Sequence, residues 1–157
     1  LKEVLALQPE GPYFLGGRCF GSMVAFEMAH QLIKKGETVA ALAAIEGTSP
    51  VRISRPSNTL PETVNSSDIL EIFNTLNKKA RDTYEAVPLP GEIALFYAEN
   101  SKLNRPAYFR SWDKAAENGI ERFSFPCGHT DMFNPPAAAD LVRCLQDYLN
   151  SQDPACR

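Results

Sequence analysis

The segment that most constrains the fold of this chain is the hexapeptide Gly-Gly-Arg-Cys-Phe-Gly at residues 16–21. It follows a short apolar run at 12–16 that is typical of a buried strand, and it leads into a helical pattern over 20–35. Glycines on both sides of Cys19 indicate a tight strand-to-helix turn, because larger side chains there would crowd the adjacent strand or helix. Such a turn lifts Cys19 above the sheet at a helix N-terminus, where the helix dipole favours a thiolate or a developing oxyanion.

Four short apolar segments are predicted to be strands, and helical patterns separate them. The strands are expected at residues 12–16, 38–45, 92–98 and 120–125, and the helices at 2–7, 20–35, 68–84, 111–118 and 136–150. The second and third strands are continuous apolar runs, which is typical of strands covered on both faces of a parallel sheet. The sequence therefore predicts an α/β fold with a mainly parallel sheet flanked by helices.

Length, charge and cysteine spacing narrow the class of protein. A chain of 157 residues predicts one domain over 1–157, and a formal charge of -3 gives no support for binding nucleic acid or an anionic membrane. No apolar stretch approaches the roughly 20 residues that cross a bilayer. No two cysteines form a C-x-x-C pair, so no metal site is suggested. Without a secretory signal, free thiols and a cytoplasmic location are expected.

His129 is the candidate base. It lies between the last predicted strand and the final helix, in the sequence Phe-Pro-Cys-Gly-His at 125–129. The turn around the first cysteine resembles the nucleophile elbow of α/β-hydrolases, in which nucleophile, acid and histidine follow in that order along the chain. In that arrangement Gly17 and Gly21 are the elbow glycines, and the backbone N–H of Phe20 donates a hydrogen bond to the oxyanion.

The acid that orients the histidine is expected at the carboxyl end of an intervening strand, where catalytic groups of parallel sheets collect. Two residues fit this position. Glu46 ends the strand predicted at 38–45, and Glu99 ends the strand predicted at 92–98. Asp131 lies too close to His129 in sequence, and we interpret it as a cap of the final helix. On the residues alone, Glu46 and Glu99 both remain candidates.

Further motifs resemble the thioesterase domains of nonribosomal peptide and polyketide synthases. The matching segments are residues 11–17, 19–21, 24–29, 80–84, 90–93, 95–96 and 128–133. The resemblance implies an α/β-hydrolase fold and a substrate held as a thioester on the phosphopantetheine arm of an acyl or peptidyl carrier protein. It implies that the nucleophile takes the acyl or peptidyl chain, and that hydrolysis or cyclisation then releases it. No bound cofactor is implied, and upstream synthase domains are expected partners.

The resemblance also assigns the acid. In this family the acid follows the strand after the elbow helix, a position that Glu46 occupies here and Glu99 does not. The family usually has Ser where this chain has Cys19 and Asp where it has Glu46. The implied triad is therefore Cys19, His129 and Glu46, with a thiol as nucleophile.

Two departures from the family pattern lead to further expectations. The lid that covers the site in this family is expected to be reduced to residues 47–84. The family's N-terminal strands, and the loop that supplies a second oxyanion donor, are expected to be missing, so the chain alone would be a weak catalyst that self-associates through a bare sheet edge. The alternatives are another Cys-dependent hydrolase of the dienelactone type, or a non-catalytic remnant that serves as an interaction module.

Overall fold

The computed structural model describes residues 1–51 and 68–153. Within these ranges strands and helices alternate along the chain, which confirms the predicted α/β class. The strands are β1 (Tyr13–Arg18), β2 (Val39–Ile45), β3 (Ile93–Ala98) and β4 (Ile120–Phe125). The helices are α1 (Lys2–Leu7), α2 (Gly21–Lys34), α3 (Ile69–Thr83), α4 (Pro106–Asp113) and α5 (Ala137–Gln152). None of the described helices is both long and apolar enough to cross a membrane.

The four strands form one parallel sheet, as the apolar runs predict. Their order in the sheet is β1-β2-β3-β4. The sequence of β2 does not alternate between apolar and polar residues because residues 41–44 are all buried, on both faces of the sheet. The carboxyl ends of parallel strands lie at the same edge. Arg18 at the end of β1 pairs with Ile45 at the end of β2, so the residues that follow these two strands become neighbours.

Helices cover both faces of the sheet and bury a separate apolar cluster on each. On one face α2 and α4 contribute Phe26 and Trp112, which are almost completely buried with Leu95 of β3. On the other face α5 contributes Tyr148, which packs edge-to-face on Phe96 of β3 at 6.0 Å between ring centroids. Close packing on both faces fixes the strand ends, and it therefore makes the edge at the carboxyl ends a rigid platform for a site.

Helix α4 corrects the prediction of a helix at 111–118. The helix begins five residues earlier because Pro106 occupies its first position, where the missing N–H costs nothing. It ends at Asp113 because the next residues bond to a neighbouring loop: the N–H groups of Glu117 and Asn118 donate to the carbonyls of Leu89 and Gly91. These bonds are long-range in sequence, so helical periodicity does not reveal them.

Helix α3 has no buried side chain, and the last connection differs from expectation. The side chain of Asp68 caps α3 by accepting from the N–H of Leu70 at 2.8 Å. The apolar side chains of α3 are not buried, and Phe73 is among those exposed. Of the predicted lid region 47–84, residues 52–67 lie outside the described residues. Asp131 belongs to a short 3₁₀ turn and does not cap α5.

Candidate active site

The turn after β1 holds Cys19 in a strained backbone conformation. Its φ of 50° lies in the left-handed region, which side-chain-bearing residues rarely adopt outside functional turns. The turn is so tight that a Cβ on Gly17 would lie 2.1 Å from the carbonyl oxygen of Gly21. A Cβ on Gly21 would meet no atom within 4 Å. The crowding expected from the sequence is therefore present at Gly17 and absent at Gly21.

The turn after β2 holds Glu46 in a matching conformation, with a φ of 46°. Its side chain is only 1% exposed, although it carries a carboxylate. The backbone N–H of Ala98 donates to Oε1 at 2.5 Å, and the N–H of Glu46 itself donates to the carbonyl of Phe96 at 2.8 Å. Both bonds anchor Glu46 to β3. They leave its second carboxylate oxygen, Oε2, available to another partner.

His129 lies between the carboxylate and the thiol. Its Nδ1 is 2.6 Å from Oε2 of Glu46, and its Nε2 is 3.3 Å from Sγ of Cys19. A carboxylate only accepts hydrogen bonds, so Nδ1 carries a proton and Nε2 faces the thiol. The structure thus brings together the nucleophile, base and acid named from the sequence. Glu99, the other candidate acid, lies exposed beyond the end of β3.

The loop that carries His129 is fixed by a feature that sequence patterns miss. A 3₁₀ turn at Asp131–Phe133 follows the histidine, and Met132 in this turn is fully buried. The guanidinium of Arg18 lies 4.1 Å from the ring centroid of Phe133, which ties the loop to the turn that presents the cysteine. A three-residue turn is too short to produce a periodic apolar pattern, and this is why no prediction named it.

The arrangement can transfer a proton and carry out nucleophilic attack. Nε2 of His129 can accept the thiol proton of Cys19, and the buried carboxylate of Glu46 then stabilises the imidazolium that forms. Phe20 precedes the first turn of α2, and its backbone N–H makes no backbone hydrogen bond within the described ranges. That N–H can therefore donate to an oxyanion formed next to the cysteine. No group of His, Cys, Asp and Glu side chains in residues 1–51 and 68–153 is placed to bind a metal ion.

The other described thiols lie in unfavourable surroundings for ionisation. Burial raises the pKa of the Cys127 thiol, and the nearby carboxylates of Asp131, Glu46 and Glu99 raise it further. Burial likewise raises the pKa of the Cys144 thiol, with Asp147 contributing. Neither thiol contacts a histidine among the described hydrogen bonds, whereas Cys19 does.

We therefore expect iodoacetamide to alkylate Cys19 faster than Cys127, Cys144 or Cys156 near neutral pH. The physical reason is that the thiolate is the reacting species, and only Cys19 among the described cysteines has a base and a helix N-terminus beside it. Brief labelling followed by peptide mapping measures the four rates separately. Modification of Cys19 at a rate equal to or below that of Cys127 would rule out an activated nucleophile.

Comparison with known protein families and structures supports the resemblance found in the sequence. The family model described as thioesterase domain matches residues 1–74. Orsellinic acid synthase of Emericella nidulans is 33% identical over 87 residues, an alignment that covers 54% of this chain and 4% of the synthase. Enterobactin synthase component F of Escherichia coli O157:H7 is 27% identical, and the alignment covers 96% of this chain and 13% of that protein. The chain thus spans a small part of the relatives it matches.

Solved structures share the fold over almost the whole chain. The NocB thioesterase domain, in covalent complex with a fluorophosphonate nocardicin G analogue, matches with a TM-score of 0.72 at 23% identity, covering 94% of this chain and 70% of that one. The surfactin thioesterase domain SrfTE matches with a TM-score of 0.73 at 20% identity, covering 95% and 72%. These likenesses confirm the predicted α/β-hydrolase fold. With the sequence matches, they show that the chain resembles, in sequence and in fold, the thioesterase domains found in nonribosomal peptide and polyketide synthases.

Proposed function

We propose that this chain is a thioesterase that takes an acyl or peptidyl chain from a carrier-protein phosphopantetheine thioester onto Cys19 and releases it by hydrolysis or cyclisation. The observation that carries the proposal is the continuous hydrogen-bonded line from Sγ of Cys19 through His129 to the buried carboxylate of Glu46. The resemblance to thioesterase domains points to a thioester as the bond that is broken. The hydrogen-bonded line accounts for how Cys19 could attack that bond.

In the acylation step, the thiolate of Cys19 attacks the thioester carbonyl carbon after Nε2 of His129 has accepted the thiol proton. The N–H of Phe20 donates to the oxyanion of the tetrahedral intermediate. When the intermediate collapses, the carbon–sulfur bond to pantetheine breaks, and the imidazolium returns its proton to the leaving thiolate. Because the bond formed and the bond broken are both thioesters, this step is nearly balanced in free energy.

In the release step, the acyl-enzyme is itself a reactive thioester. Water, or an amine or hydroxyl of the bound chain, attacks the carbonyl while His129 removes its proton. The Cys19 thiolate leaves and recovers the proton from the imidazolium. The nucleophile therefore determines the product: water gives a free acid, and an internal amine or alcohol gives a ring.

The relatives support the proposed substrate class and partners. One relative is an enterobactin synthase component and another is an orsellinic acid synthase. In a third, structurally similar protein, the thioesterase domain SrfTE cyclises the lipopeptide surfactin. We infer that an acyl or peptidyl carrier protein delivers the substrate, and that upstream synthase domains make it. Residues 1–157 then act as a single thioesterase-like domain.

Acylation by a small acyl-pantetheine thioester tests the proposal. The expected result is one acyl mass on the chain, mapped to Cys19, with a burst of one pantetheine thiol released per chain. Cys19→Ala is expected to abolish both signals. Cys127→Ala is the matched control, because it removes a nearby thiol that makes no hydrogen bond to His129, and it is expected to retain them.

Each contrary result of this experiment has a distinct meaning. No adduct on Cys19 under saturating thioester would overturn the thioesterase proposal and favour a non-catalytic interaction module. Turnover of an enol lactone without turnover of the thioester would instead favour a hydrolase of the dienelactone type.

A further inference from the structure

The side chain of Ser22 occupies an unusual position in the first turn of α2. It is 1% exposed, and its Oγ lies 2.6 Å from the carbonyl oxygen of Cys19 and 3.0 Å from the carbonyl oxygen of Thr48. A hydroxyl has one proton to donate, so the two carbonyls share it. One of these acceptors belongs to the turn after β1, and the other belongs to the turn after β2.

Thr48 completes a two-point connection between these turns. Its N–H donates to the carbonyl of Cys19 at 3.0 Å, while its own carbonyl lies against the hydroxyl of Ser22. The carbonyl of Cys19 also accepts from the N–H of Ser22 at 3.2 Å. The backbone of the nucleophile is thereby bonded to α2 and to the segment that follows the acid.

Gly47 shows how closely Ser22 approaches the acid turn. A Cβ on Gly47 would lie 2.6 Å from Oγ of Ser22 on one side and 3.1 Å from the ring of Trp112 on the other. The carbonyl of Gly47 accepts from the hydroxyl of Tyr108 at 3.0 Å. Burial, with the charge of Glu46 nearby, raises the pKa of Tyr108, so its hydroxyl stays a donor over the physiological range. The turn that follows Glu46 is thus clamped between α2 and α4.

We propose that Ser22 is a positioning residue that holds the Cys19 turn and the Glu46 turn in register, with Tyr108 as its counterpart on α4. Both turns contain a residue at positive φ, and such conformations persist only where the surroundings over-determine them. Ser22 contacts both turns without contacting the reacting atoms. Its role rests on the proposed function, because it acts by keeping Glu46 and His129 aligned with the thiol.

The first test is Ser22→Ala, which removes one atom and adds no clash. We expect the iodoacetamide alkylation rate of Cys19 near neutral pH to fall about tenfold, because the Thr48 carbonyl loses its donor and the acid turn relaxes. Ser111→Ala is the matched control. Ser111 is also buried, and its hydroxyl donates at 2.6 Å to the main-chain carbonyl of Tyr108. That carbonyl is not the atom of Tyr108 that bonds to Gly47, so Ser111→Ala leaves the hydroxyl of Tyr108 and its bond to the Glu46 turn in place.

A double-mutant cycle with Glu46→Gln separates positioning from general stability. If Ser22 acts through Glu46, Ser22→Ala has little further effect on alkylation once Glu46 is already Gln. An unchanged rate in Ser22→Ala, or an equal loss in both backgrounds, overturns the proposal. If Ser22→Ala does not fold, Tyr108→Phe, which frees the Gly47 carbonyl from the opposite side, is judged by the same two criteria.

The readout separates this inference from the thioesterase proposal, since alkylation requires no thioester. Normal alkylation in Ser22→Ala, with acyl-enzyme still formed by the wild type, overturns only the role of Ser22. Impaired alkylation in Ser22→Ala, with no acyl-enzyme in the wild type, overturns only the thioesterase proposal.

Discussion

Glu46→Gln is expected to lower turnover of an acyl thioester by at least about a hundredfold. The carboxylate accepts from Nδ1 of His129 at 2.6 Å, which leaves Nε2 free to take the thiol proton. An amide in its place can donate to Nδ1, and this stabilises the tautomer with a proton on Nε2. In that tautomer Nε2 cannot accept the thiol proton of Cys19. The amide also leaves the imidazolium without a buried counter-charge. The loss is expected in kcat more than in KM, since Glu46 is only 1% exposed and reaches the thiol through His129.

Glu99→Gln is the matched control, because it makes the same chemical change at the end of the adjacent strand. Glu99 is exposed, whereas Glu46 is buried and anchored to the N–H of Ala98. We expect Glu99→Gln to retain turnover within about twofold, in line with other surface substitutions. Steady-state kinetics of both variants on one thioester decides the matter, and the reverse ranking would transfer the orienting role to Glu99.

The choice between these two acids shows what strand patterns can and cannot predict. Each glutamate follows a buried apolar strand, so local pattern alone leaves both open. What distinguishes them is register: Ile45 pairs with Arg18, which places Glu46 next to the Cys19 turn. Register depends on hydrogen bonds between distant segments, and only the family resemblance gave this information before the structure.

The parts of the fold that were predicted well are those with strong local signals. The bounds of β4, Ile120–Phe125, agree with the prediction. Helix α2 ends at Lys34, one residue before the predicted end, and Gly36 follows with a φ of 85°, which suits the residue after a helix. The role of Ser22 had no such signal, because a serine in the first turn of a helix is ordinary. The proposed role depends on the hydrogen bond from Ser22 to the carbonyl of Thr48, which lies 26 residues away in sequence.

The second large effect is expected at Gly17. The structure places any Cβ there 2.1 Å from the carbonyl oxygen of Gly21 and 2.6 Å from the backbone nitrogen of Ser22. Both are main-chain atoms of the first turn of α2, so no side-chain rotation can relieve the contact. Overpacking of this kind costs about 3 kcal/mol or more. For a chain of this length, Gly17→Ala should then lower Tm by roughly 6–12 °C or prevent folding.

Two neighbouring glycines provide controls for the same one-carbon addition. A Cβ on Gly16 meets the Ala43 carbonyl oxygen at an ordinary 3.5 Å, and a Cβ on Gly21 meets nothing within 4 Å. Thermal unfolding followed by circular dichroism should therefore rank Gly17→Ala far below Gly16→Ala and Gly21→Ala. The prediction at Gly21 opposes the sequence-based expectation that both elbow glycines are required for steric reasons. Equal damage from Gly21→Ala and Gly17→Ala would contradict the open space beside Gly21. It would mean that α2 lies closer to β1 than in the structure, with atoms within 4 Å of that Cβ position.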